Sequence, residues 1–263
     1  MTNNAQLKQF YEGVYKKGEK DHYTQFRLQK GDLTEEFAAV LATCDWQDKT
    51  VLDVGCGTGD ICALIADAGA ASVLGVDFAE DGIVEAKQKY SAPNLEFVCD
   101  NIENISGTFD VIVSIGTLEH MDNPFATLKR LKSMVSSGGS MVMTCPNWLN
   151  PRGYMLQVLW HLFRAPITLA DIHYLGPVDF MEWAEQLDMD LDWQTVDCEW
   201  ASGAKMVKDL ERRLPNVARD ADWDIPQEHI DGLLQWLQTR VVPFKDDRKH
   251  AGVAGVYHLK RRD

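Results

Sequence analysis

Between residues 51 and 145 the apolar positions of this chain alternate between two kinds of spacing. Short apolar runs read as strands: Val51 to Val54, Ser72 to Val76, Leu95 to Val98, Phe109 to Ser114 and Ser140 to Cys145. Between them, apolar residues recur every third or fourth position, which predicts helices over Ile61 to Ala68, Glu80 to Tyr90 and Pro124 to Val135. Gly69 is the expected stop of the first helix, and Gly138-Gly139 reads as the turn before the fifth strand. Strands that alternate with helices imply parallel pairing with helical crossovers. A helix over Val178 to Leu187, a strand over Leu191 to Val196 and an alternating last strand over Gly252 to Lys260 extend the series. The predicted fold class is α/β: a doubly wound, mostly parallel, seven-stranded sheet with helices on both faces and helical cap insertions.

The flanks break this rhythm. Residues 1–44 read as N-terminal helices, with Leu7, Phe10, Val14 and Tyr15 at helical spacing and a further helix from Glu35 to Ala42 capped by Thr34. After Pro146 the pattern stops: residues 147–176 carry Trp148, Trp160, His161, Phe163 and His173, punctuated by Pro151 and Pro166. Residues 200–250 are amphipathic and mostly helical. The organisation expected is one domain over 1–263, with a lid at 1–44, a core at 45–146, insertions at 147–176 and 200–250, and a closing strand at 252–260. A separate C-terminal domain from about residue 200 is the alternative.

The chemistry-bearing stretch is Val51-Leu52-Asp53-Val54-Gly55-Cys56-Gly57-Thr58-Gly59-Asp60. A buried strand ends in glycines at every second position, a loop only glycine shapes easily. The dinucleotide fingerprint G-x-G-x-x-G carries pyrophosphate onto a helix N-terminus. Here the third glycine comes one residue early and Asp60 takes its place, where an acid repels pyrophosphate. A nicotinamide-dependent oxidoreductase is therefore disfavoured.

This D-x-G-x-G-x-G form resembles the first motif of class I (Rossmann-like) S-adenosylmethionine (SAM) methyltransferases, and the resemblance covers about residues 45–146. It implies that SAM is the cofactor, with S-adenosylhomocysteine (SAH) as product. It also implies that Gly55, Cys56, Gly57 and Gly59 pass under the amino-acid end of SAM, with Asp53 near its positive charge. Asp77 ends the second strand, where an acid accepts both ribose hydroxyls, and Phe78 borders the adenine. Asp100 after the third strand resembles the acid that receives the adenine amino group, Asn101 follows it, and Ile102 packs on the ring. Ser114, with Ile115 and Gly116, lies beside the methionine part. Helix-dipole placement for Asp77 and an Asx turn for Asp100 are the competing structural readings. Spermidine-synthase-like proteins carry an acid where Thr58 stands, amino methyltransferases carry a Pro-Pro-aromatic motif absent from Ser114-Ile115-Gly116-Thr117, and Cys145-Pro146 reverses the order of the cytosine-C5 enzymes.

Composition narrows the setting. The formal net charge of −14 disfavours a nucleic-acid partner. No apolar run is long enough for a membrane span. The six cysteines form no C-x-x-C pair, which points to a reduced, cytoplasmic setting without a disulfide framework or a zinc site. The expected partner is a small-molecule acceptor.

For that acceptor, Thr117-Leu118-Glu119-His120-Met121 resembles the ubiquinone-biosynthesis O-methyltransferases, as do, more loosely, Asn147-Trp148 and Asp171-Ile172-His173. The resemblance implies methylation of an oxygen, with nitrogen as the alternative. An oxygen acceptor usually needs a base or a metal, so His120 and His173 are the candidate catalytic residues. His120 is a base or a metal partner of Glu119, and a loop-holding Glu-His pair is its structural alternative. Asn147, Trp148, Tyr11, Tyr15 and Tyr23 are candidate acceptor contacts. A SAM-binding regulatory protein without turnover is the rival function.

Overall fold

The computed structural model describes residues 33–164, 167, 171–220, 222–243 and 251–262. The readings at Tyr11, Tyr15 and Tyr23, and the rest of the N-terminal lid before residue 33, lie outside the described residues.

Helix α1 (Glu35–Leu41) starts as expected, with the Thr34 hydroxyl accepting the Phe37 N–H at 3.0 Å. The core then runs β1 (Thr50–Val54), α2 (Asp60–Asp67), β2 (Ser72–Asp77), α3 (Glu80–Lys89), β3 (Leu95–Cys99), β4 (Phe109–Ile115), α4 (Pro124–Met134) and β5 (Val135–Pro146). After it come α5 (Pro151–Phe163), α6 (Pro177–Gln186), β6 (Met189–Val196), α7 (Cys198–Ala201), α8 (Ala204–Asp220), α9 (Gln227–Trp236) and β7 (Ala254–Arg261). The seven strands lie in the order β3-β2-β1-β4-β5-β7-β6. The first five are parallel, and β7 runs antiparallel between β5 and β6.

The strands are apolar on both faces because helices cover both. Alternate residues feed two clusters. Leu52, Val54, Ile112, Met141 and Met143 pack with Leu128 and Leu131 of α4 and Phe180 of α6. Val51, Val111, Val113 and Val142 pack with Phe37 of α1, Ile61 and Ile65 of α2 and Ile83 of α3. A strand buried on both sides loses its alternation and reads as continuous hydrophobicity. Asp53 lies on the second face, facing α2, in the midst of that cluster.

One expectation fails. Gly138-Gly139 is not a turn: β5 begins at Val135, directly after α4, and passes through both glycines. Its register against β4 shifts between Phe109 and Val111. Gly138 has a φ of +69°, and a Cβ on Gly139 would sit 2.7 Å from the Asp110 carbonyl oxygen. The glycines serve a close-approach bulge inside a strand. Elsewhere among the described residues the predicted elements recur with ends displaced by a residue or two.

The cap segments have small cores of their own. Trp148, Leu156 and Ile167 form one with Trp160 and Tyr174 against them, and Met206, Leu210 and Leu237 form another. Buried Asp209 of α8 binds Arg152 of α5 at 2.9 Å and Arg213 at 3.3 Å, tying the two cap helices together. Among the described residues no helix is long and apolar enough to cross a membrane.

Candidate functional site

The strand order reverses between β1 and β4, and the loops leaving their carboxyl ends form the crevice where an open α/β sheet binds ligands. On one side of it the Gly55 and Cys56 N–H groups both donate to the Val76 carbonyl, at 2.8 and 3.1 Å. Gly55, Gly57 and Gly59 all have positive φ, at 78°, 51° and 78°. Two of them also need the missing side chain. A Cβ on Gly55 would lie 2.4 Å from Thr117 Cγ2, and one on Gly59 would lie 2.5 Å from the Phe97 ring. The glycine loop is thus pressed against the loop after β4 on one side and against β3 on the other.

Asp77 closes this half. Its Oδ2 accepts the Gly57 N–H at 2.9 Å and its Oδ1 accepts the Ala79 N–H at 2.8 Å. Burial raises its pKa, and the N–H donors of Ala79, Gly57 and Phe78 oppose the rise. Each oxygen keeps further acceptor capacity. Phe78 beside it is half-buried. Asp53 is fully buried: its Oδ2 receives the Cys62 thiol at 3.0 Å, whereas Oδ1 has no partner. Burial, with a smaller push from Asp77, lifts its pKa to about 7 against the thiol's opposing donation. Cys56 is buried beside Cys62. Asp60, the acid that stands where the dinucleotide fingerprint has glycine, binds Lys89 at 2.5 Å, the Tyr90 hydroxyl at 2.7 Å and the Thr58 hydroxyl at 2.5 Å. Lys89 compensates its charge from 29 residues along the chain, a pairing that no motif carries.

Asp100 Oδ1 accepts from Asn101 N at 2.7 Å and Asn104 Nδ2 at 2.6 Å, and these donors lower its pKa, that of Asn104 first. It therefore makes the Asx-type closure of β3 that was the structural alternative. Asn101 is exposed. Ile102 is buried with Leu128 and Leu131 beneath the loop. The Ser114 hydroxyl donates to the Val54 carbonyl at 2.9 Å, joining β4 to β1.

The other half of the crevice holds titratable groups. Leu118–His120 forms a single 3-10 turn after β4. His120 Nδ1 stands 3.5 Å from Asp171 Oδ1, and its Nε2 stands 4.0 Å from Glu119 Oε1. The N–H groups of Ile172 and His173 both donate to the Glu119 carbonyl, at 3.0 and 3.1 Å, which fastens the cap loop over this turn. His173 Nε2 is buried without a hydrogen-bond partner. Burial lifts the Asp171 carboxyl to about 6. Glu119 is pushed up to about 8, chiefly by burial, then by Asp171 and Glu36, while the hydrogen bond it shares with the Cys145 thiol opposes the shift. Ligand atoms of Glu119, His120 and Asp171 all lie within 4.8 Å of one another, a set that suits a divalent cation as well as a proton relay.

Asn147 and Trp148 are committed to the cap. The Asn147 amide donates to the Gly252 carbonyl at 2.7 Å and accepts the Leu149 N–H at 3.2 Å. Trp148 packs edge-on against Tyr174, with ring centroids 5.1 Å apart. Glu36, Thr117, Thr144 and Cys145 border the crevice and were not singled out as site residues. In sequence Cys145 reads as strand packing, and Glu36 lies unremarked in the helix from Glu35 to Ala42. Nothing linear distinguishes them, because their roles come from partners far along the chain.

This sheet order, with its antiparallel β7 and its glycine loop at the switch point, defines the fold of the class I SAM-dependent methyltransferases. Residues 51–139 match the family described as methyltransferase domain, and SAM is the methyl donor of the class with this fold. The chain is 29% identical over 148 residues to the ubiquinone biosynthesis O-methyltransferase of Neisseria meningitidis serogroup C, covering 48% of this chain and 62% of that protein. It is 32% identical over 153 residues to the enzyme of the same name from Pseudomonas paraeruginosa, covering 54% and 65%. The alignments thus span under two thirds of these relatives. The magnesium protoporphyrin IX methyltransferase of Synechocystis PCC 6803, crystallised with SAH, superposes with a TM-score of 0.54 at 14% identity, covering 86% of this chain and 80% of that one. At that identity the likeness is one of fold.

Proposed function

We propose that the protein transfers a methyl group from SAM to an oxygen or nitrogen of a small-molecule acceptor. The observation that carries the proposal is the Asp77–Gly57 hydrogen bond, which locks the acid at the end of β2 to the glycine loop at 2.9 Å. The residues fit the group. A loop free of side chains leaves room for the amino-acid end, the unpartnered Asp53 Oδ1 suits a positively charged ligand, and Asp77 retains lone pairs for two hydroxyls. In this reading Asp53, Gly55, Cys56, Gly57, Gly59, Asp77 and Phe78 hold the donor. Asp100, Asn101 and Ile102 line its adenine end, and Ser114 fixes the strand beneath it.

SAM supplies a methyl carbon activated by its sulfonium, so much of the rate can come from alignment and water exclusion. This chain adds a base. His120, oriented by Asp171, takes the acceptor's proton, and His173 bounds the acceptor from the cap loop. Tyr11, Tyr15, Tyr23, Asn147 and Trp148 enter as acceptor-side candidates on sequence grounds alone.

The test is to incubate the protein with SAM and a small-metabolite extract and to measure SAH by mass spectrometry. SAM binding without SAH formation favours the regulatory alternative, and nicotinamide binding in its place ends the reading.

A further inference from the structure

Arg130 of α4 reaches across to the loop that follows β3. Its Nε and Nη2 donate to the Ile102 carbonyl at 3.3 and 3.1 Å, and Nη2 also donates to the carbonyls of Glu103 and Ile105 at 3.0 and 2.8 Å. Ile102–Asn104 forms a single 3-10 turn. The last carbonyls of a helical turn lack partners within it, and a cationic side chain suits them. Arg130 supplies that closure from 25 to 28 residues along the chain. Leu128 and Leu131 of the same helix pack with the Ile102 side chain, so α4 holds the turn by both its side chain and its main chain. The turn in its turn places Asn104, whose Nδ2 donates to Asp100 Oδ1 at 2.6 Å. The Asn101 N–H falls on the same oxygen at 2.7 Å. Among the described residues both donors to Asp100 use Oδ1, so Oδ2 keeps its lone pairs.

Packing does little to fix this loop. Ile102 is buried and Ile105 half-buried, but Asn101, Glu103, Asn104 and residues 106–108 are exposed. A carboxylate on such a segment samples many positions unless hydrogen bonds hold it. We propose that Arg130 is a positioning residue for the adenine of SAM: it clamps the Ile102–Asn104 turn, the turn fixes Asn104, and Asn104 holds Asp100 with Oδ2 ready for the exocyclic amino group. This deepens the methyltransferase reading and rests on it. Arg130 acts on the base only through Asn104 and Asp100. Its planar fork reaches three carbonyls at once, which an ammonium on a flexible stem does not reproduce. A loop ordered before the ligand arrives lowers the cost of binding. The clamp also sets specificity. A fixed carboxylate oxygen meets a donor in the amino group of adenine but a second acceptor in the oxo group of hypoxanthine, and two acceptors left facing each other are costly.

The experiment is calorimetric titration of the full-length protein with SAH and with S-inosylhomocysteine, in which an oxo group replaces the adenine amino group. The wild type is expected to bind SAH about tenfold or more tightly, the scale of a hydrogen bond to a charged group. Arg130→Met and Asn104→Ala are each expected to cut that preference by about threefold or more. The double variant is expected to match the larger single loss within about twofold, because the two residues act in series. A wild type that binds both ligands equally overturns the inference, as does a preference left intact in Arg130→Met. Equal weakening of both ligands also overturns it, since a merely structural arginine gives that result, and so do losses that add in the double variant. If Arg130→Met fails to fold, Arg130→Lys, which keeps the charge without the fork, takes its place in the same comparison. A wild type that binds no SAH rejects the methyltransferase reading itself, whereas SAH binding with an indifferent Arg130 rejects the positioning role alone.

Discussion

Asp77 holds the glycine loop by accepting the Gly57 N–H at 2.9 Å, which makes one carboxylate both the end of β2 and the clasp of its neighbouring loop. The relationship joins two roles that are separate in the sequence. In the proposed reading, a change at Asp77 acts on donor binding and on loop geometry together.

Replacement of Asp77 by Ala is expected to weaken SAM binding by about 1–3 kcal/mol, the scale of hydrogen bonds to a charged group. Asp77→Asn keeps a carbonyl acceptor for only one of the two N–H donors and is expected to fall between wild type and Ala. Isothermal titration with SAM checks the order, and unchanged affinity in Asp77→Ala rejects the ribose assignment.

Gly59 combines a φ of +78° with a missing Cβ that would lie 2.5 Å from the Phe97 ring. Gly59→Ala is expected to destabilise the fold by about 1–3 kcal/mol, from backbone strain and overpacking together. Adding Phe97→Leu removes the clash and leaves the strain. Urea unfolding is expected to show the double variant more stable than the sum of the two single changes, and strict additivity would reject the contact.

Burial pushes the Asp53 carboxyl up to about 7. Between pH 4 and pH 7, on the order of the ordinary and shifted values, the unfolded chain ionises this acid while the folded protein keeps its proton. Its contribution to stability therefore falls as pH rises through that window and levels off above it. Asp53→Asn is expected to raise stability near pH 8 by about 1–3 kcal/mol and to flatten that part of the profile. Thermal melts across the range decide it, and a variant less stable at every pH would refute the burial argument.

His120 and Asp171 stand 3.5 Å apart. With His120 as base, His120→Ala is expected to lower kcat by about 10²–10⁴-fold. Asp171→Asn removes the orienting charge and the rise in rate with pH that follows ionisation near 6. Profiles of SAH release against pH test both. A wild-type enzyme with no change in rate between about pH 5 and pH 8, the range in which histidines and raised carboxyls titrate, argues against this dyad.

Activity is expected to survive dialysis against EDTA, because the proton relay needs no metal. A loss restored by Mg2+ or Mn2+ would assign Glu119, His120 and Asp171 to a cation.

The linear order of the chain determined much of this protein. The strand and helix series of residues 51–146, the positive-φ glycines and the acid at the end of β2 are local matters, set by spacing and by what a backbone without Cβ can do. The family resemblance was legible for the same reason. Tertiary structure decided the rest. Gly138-Gly139 looked like a turn because a bulge and a turn ask the same thing of glycine, and only the β4 partner tells them apart. Asp60 gave no sign in the sequence of Lys89 and Tyr90, which fold onto it from the end of α3. Glu36 carried no signal within the helix from Glu35 to Ala42, yet the packing of α1 on the sheet brought its carboxyl to Thr144. Partners that meet across the sheet leave no period in the sequence, so the acceptor side of the crevice was fixed by burial and long-range contact.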